Sequence, residues 1–85
     1  MLELTNNFNT YIMNYLIQAF NNNDKQILGS NNSGIVKNAK SMVKIDNRLR
    51  CFNPCKETTT IKVFSYSNLY DKSSYNLVKT ISVSF

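Results

Sequence analysis

The chain has 85 residues, ten Lys+Arg against five Asp+Glu, and neither histidine nor tryptophan. That length allows one domain with a thin core, because a chain of this size buries only about 60–65% of the surface its unfolded form exposes. Without histidine the commonest general base and metal ligand are missing, and neighbouring carboxylates stand eleven residues or more apart. No phosphate-cradling glycine motif or nucleophile elbow occurs, so the expectation is a protein that is not an enzyme and holds no cofactor or metal.

In chain order, the first element predicted is a helix over residues 4–20. Leu4, Phe8, Tyr11, Ile12, Tyr15, Leu16 and Ala19 recur at spacings of three and four, as one apolar helix face requires. Met13, Ile17 and Phe20 form a second apolar cluster nearly opposite, and no charge falls between Glu3 and Asp24. A helix apolar on two sides offers Met13, Ile17 and Phe20 as a protein interface, through which two copies could pair. Asn21 to Asp24 then stops the helix with turn-favouring residues.

Residues 21–34 form a polar connector. Its run from Gly29 to Gly34 has two glycines and two serines in six residues and could offer backbone amides to an anion. Residues 35–40 are open between helix and strand, since Ile35, Ala39, Met42 and Val43 also fit a helical face with Ser33 as its cap. Residues 41–45 and 48–52 read as strands around an Asp46-Asn47 turn. Cys51 and Cys55 flank Phe52-Asn53-Pro54; two thiols without imidazole fall short of the four ligands of structural zinc.

The last third is the clearest. Thr58 to Tyr66 is rich in β-branched and aromatic residues, Ser67 to Ser74 is a polar turn, and residues 75–85 alternate. Leu77, Ile81, Val83 and Phe85 point one way, with Lys79 interrupting the apolar set. The predicted fold is therefore α+β: one N-terminal helix on a three- to four-stranded antiparallel sheet, within a single domain spanning 1–85.

Charge is concentrated in the middle. Residues 37–62 carry a net +5, equal to that of the whole chain. Lys44, Arg48, Arg50, Lys56 and Lys62 are the candidate contacts to a nucleic-acid backbone or an acidic surface, since cations neutralise phosphates and nearby aromatics such as Phe52, Phe64 and Tyr66 can stack on bases. With no leader pattern and no twenty-residue apolar run, the expected setting is soluble and cytoplasmic, away from membranes. Fourteen asparagines, and eight lysines to two arginines, suit an AT-rich genome.

In size and composition the chain resembles two broad groups. One is small phage or mobile-element proteins that bind and block a host complex, anti-CRISPR proteins among them; the other is small accessory proteins of ribonucleoprotein particles. The first resemblance implies a non-enzymatic inhibitor or regulator docked on a host nucleic-acid-handling complex. The second implies a structural subunit of a ribosomal type of assembly.

Overall fold

The computed structural model describes residues 13–83. Four strands, β1 (Met13–Phe20), β2 (Ser33–Ala39), β3 (Thr60–Tyr66) and β4 (Asn76–Ser82), form one antiparallel sheet in the order β2-β1-β3-β4. Among the described residues a single α-helix, α1 (Met42–Arg50), lies between β2 and β3 in the chain. The fold is α+β with a four-stranded antiparallel sheet, but its helix is not the N-terminal one predicted.

Over residues 13–20 the predicted helix is replaced by β1; residues 4–12 lie outside the described residues. β1 is an inner strand, paired to β2 on one side and to β3 on the other. An inner strand with apolar side chains on both faces blurs the alternation that marks a strand in sequence. Ile17 and Ala19 are buried on one face and Leu16 on the other, where Asn14, Gln18 and Phe20 are half-buried. Ile17 lies opposite Val63, whereas Leu16 lies opposite Phe64 and Ile35 with its side chain on the other face.

The predicted strands at 41–45 and 48–52 are likewise corrected: residues 42–50 are α1. Ser41 is its N-cap, in an extended conformation, and its Oγ accepts from the Val43 amide at 3.3 Å. Met42, Ile45 and Leu49, spaced by three and four, pack on the sheet with Ile17, Val36, Ala39, Ile61 and Val63. Ile45 is fully buried, and burial on that scale contributes about 1.5–3 kcal/mol. Because β2 and β3 both run antiparallel to β1, they are parallel to each other on either side of it. The connection between them must cross the sheet, and α1 is that crossover.

β3 and β4 pair as a hairpin, with Ile61 opposite Ile81 and Val63 opposite Lys79. Lys79 thus sits on the helix-covered face, where its Nζ reaches Asp46 on α1 at 3.4 Å. That ion pair accounts for a lysine within an otherwise apolar series. The intervening turn is held by Asp71, whose carboxylate accepts from the Ser73 amide at 3.0 Å and the Ser73 hydroxyl at 2.6 Å. Tyr75 donates its hydroxyl to the Leu69 carbonyl at 2.6 Å and packs its ring against Phe64 and Tyr66. No helix of the described residues is long and apolar enough to cross a membrane.

Candidate nucleic-acid interface

Building the site starts with the crossover. The face of α1 holding Met42, Ile45 and Leu49 is taken by the core, so the remaining side chains emerge on two flanks. Lys44 and Arg48, one turn apart, come out towards β2. Asp46 and Arg50, also one turn apart, come out on the β4 side, where Asp46 meets Lys79.

β2 is an edge strand, and an edge leaves outward backbone groups without a ladder partner. Lys44 Nζ donates to the Lys37 carbonyl of this strand at 2.7 Å. This contact is to a neutral carbonyl, not to a carboxylate. Together Ile35, Val36, Lys37, Lys44, Asn47, Arg48 and Cys51 line an open groove of about 330 Å³ between β2 and α1. It holds three cations, and no carboxylate among the described residues is ion-paired to any of them.

Arg48 is the most constrained of the three. Its guanidinium lies 5.7 Å from the centre of the Phe52 ring, a cation–π contact, and Phe52 is itself packed against the core. The other side of the guanidinium is set by Gly34 on β2. A β-carbon at that position would fall 2.8 Å from an Arg48 terminal nitrogen.

The candidates do not all converge. Lys44 and Arg48 share the β2 flank. Arg50 is exposed on the opposite flank, and Lys56 is exposed in the loop after α1. Lys62, next to Ile61 and Val63 on β3, faces away from α1, where its Nζ pairs with Asp24 at 2.8 Å and lies 4.5 Å from the Phe20 ring centre. Of the five candidates, Lys44 and Arg48 thus come together, and Lys37 joins them.

The predicted interface of Met13, Ile17 and Phe20 does not form a surface. Ile17 is fully buried in the core, and Phe20 is half-buried on the other face of the sheet beneath Lys62. Met13 is exposed at the start of β1. With no helix over residues 13–20, the proposed pairing of two copies through it loses its basis there.

Two contributors were not singled out from sequence. Lys37 had no reason to stand out among eight lysines, since only the crossover brings it beside Lys44. Gly34 looked like one more connector glycine, and no local pattern announces a contact with a side chain fourteen residues on. Cys51 and Cys55 are free thiols, the first exposed at the end of α1, the second half-buried with its Sγ 3.8 Å from Thr58 Oγ1. No protein-family model matches the chain, and no curated protein or solved structure has significant similarity to it.

Proposed function

We infer that this is a small non-enzymatic binding protein that docks on a nucleic-acid-handling complex through the β2 side of α1, blocking or regulating it. Lys37, Lys44 and Arg48 would contact phosphates there, with Lys56 and Arg50 adding long-range attraction. The observation that carries this reading is the charge balance around the helix. Residues 37–50 hold five basic residues and one carboxylate, Asp46, and that carboxylate is already paired with Lys79. An unneutralised surface of this kind attracts polyanions and accelerates their encounter.

The test is fluorescence anisotropy with labelled single- and double-stranded oligonucleotides at ~50 and ~200 mM salt. Three phosphate contacts should lose roughly 1.5 decades of affinity across that range. No binding at the lower salt would sink the phosphate-contacting reading.

A second reading, a structural subunit of a ribonucleoprotein or other large assembly, draws on different residues. Ile35, Leu77 and Val78 expose apolar side chains on the outer strands, and such strands pair readily with neighbours. That reading expects poor solubility in isolation, and a monomer with a sharp melting transition independent of concentration would count against it.

A further inference from the structure

We propose that the notch beside Arg48 is a seat for one phosphate group of a nucleic-acid strand, an inference that deepens the basic-face reading and rests on it. The notch, of about 150 Å³, is lined by Ser30, Asn31 and Ser33 on one wall and by Arg48, Cys51, Phe52 and Asn53 on the other. Its chemistry suits an oxyanion. A guanidinium supplies a planar fork of donors that matches phosphate geometry. Around it stand two hydroxyls and two carboxamides, and no acidic side chain lines the space.

Three features show that the notch is built into the fold. Phe52 and Gly34 bracket the guanidinium, as described above, so Arg48 is directed across β2. No hydrogen bond from that guanidinium to another described residue forms. Finally, the two walls are tied together by a buried side chain. Asn32, 7% exposed, donates its Nδ2 to the Leu28 carbonyl at 2.9 Å and accepts the Cys55 amide on its Oδ1 at 2.9 Å. It thereby locks the short 3-10 turn Ser30–Asn32 onto the loop carrying Asn53.

A basic residue in the last turn of a helix commonly serves the carbonyl end of the helix dipole. Arg48 does not turn back in that way. The carbonyls of Arg48 and Leu49 are taken by the amides of Cys51 and Phe52 at 3.1 Å each, and the side chain lies over Gly34 instead. An anion in the notch would still feel the unfavourable end of the dipole, which makes the arginine indispensable to its binding.

Gly34→Ala provides a charge-neutral test. The glycine has no positive φ that alanine would strain, and the added methyl meets only the far end of a flexible side chain. The variant should fold with an unchanged melting temperature while displacing the guanidinium. Amide and Arg Nε–H NMR shifts would be followed as inorganic phosphate is titrated against chloride at matched ionic strength. Saturable shifts at Ser30, Asn31, Ser33, Asn53 and Arg48 are expected in the native protein and in Lys62→Gln, and should vanish in Arg48→Gln and Gly34→Ala. Absence of saturable shifts in the native protein, or their survival in Gly34→Ala, would overturn the proposal.

Oligonucleotide anisotropy separates the notch from the wider reading. Arg48→Gln should weaken binding about tenfold, as loss of charge-assisted hydrogen bonds implies, and Gly34→Ala at least about threefold with no change in charge. If Gly34→Ala binds like the native protein while Arg48→Gln still weakens binding, Arg48 acts as a charge on the basic face whatever its placement: the notch proposal fails while the basic-face reading stands. If phosphate fills the notch yet no oligonucleotide binds, the seat is for free phosphate: the basic-face reading fails, and with it the assignment to a nucleic-acid strand.

Discussion

On the β4 side of α1, Asp46 meets Lys79 at 3.4 Å, whereas on the β2 side Lys44 and Arg48 stand beside Lys37 with no described carboxylate paired to them. Both flanks hang from the same three core residues, Met42, Ile45 and Leu49. The difference is therefore one of charge and neighbours, not of support. A cation facing a carboxylate loses much of its field, so on the β4 side Lys79 is offset by Asp46 while Arg50 stands exposed beside the pair. Cations sharing a groove without a carboxylate repel each other mildly, a cost that a bound polyanion would relieve. The unpaired flank is thus the one arranged for a partner.

The largest effect is expected where the helix is lost from the sheet. Ile45→Ala removes a fully buried side chain and should cost about 2–5 kcal/mol in chemical denaturation, with both flanks losing their geometry together. A more selective break is Lys44→Glu with Arg48→Glu, which should lower oligonucleotide affinity about a hundredfold with little change in melting temperature. Reversal that leaves affinity intact would mean the β2 flank is not the contact surface.

Asn32→Leu asks whether the walls around Arg48 are held as described. It strands the Leu28 carbonyl and the Cys55 amide and should cost about 1–3 kcal/mol. Asp46→Asn works on the other flank. It frees Lys79 from an exposed pair, so stability should change by no more than about 0.2–1 kcal/mol. Oligonucleotide affinity should rise only slightly, because the released charge lies away from the groove.

The smallest effect is expected at Asp71, far from both flanks. Hydrogen bonds from the Ser73 side chain, and then from its backbone amide, hold this carboxyl below its ordinary value of 3.8. A depressed pKa in the fold contributes stability above the unfolded value and loses it as pH falls through the folded one. Asp71→Asn should flatten that acid-side decline slightly in a melting-temperature profile taken from neutral pH downwards.

Much of the fold was legible where a segment sees water on one side. The strands at 60–66 and 76–82 follow from β-branched residues and alternation, and Lys79 was visible as an anomaly whose partner, Asp46, was not. The two inverted elements, β1 and α1, failed for complementary reasons. In β1 the odd positions Met13, Tyr15, Ile17 and Ala19 are apolar, but Leu16 and Phe20 on the other face interrupt the period of two, and the run joins a helical spacing with the residues before it. α1 is short, and its Val43, Ile45 and Asp46-Asn47 mimic a strand entering a turn, although Ser41 and the Met42–Ile45–Leu49 spacing carried the helical signal.

The site divides similarly. That the middle of the chain is basic could be read directly, but which cations converge depends on the crossover between two parallel strands separated by β1. Lys62 is the instructive case: it lies within the basic stretch, yet it points to the opposite face and meets Asp24, thirty-eight residues earlier. Spacing along the chain has no access to that pairing.

The most direct test of the account compares the flanks at equal charge, by measuring the salt dependence of single-stranded oligonucleotide affinity for two double variants. Lys44→Gln with Arg48→Gln removes two charges from the β2 flank; Arg50→Gln with Lys79→Gln removes two from the β4 side. The first should shallow the slope of log affinity against log salt by about 1.4, the loss of two phosphate contacts, and the second should leave it near the native value. Equal slopes for the two variants would contradict the account, since net charge rather than the unpaired flank would then govern binding.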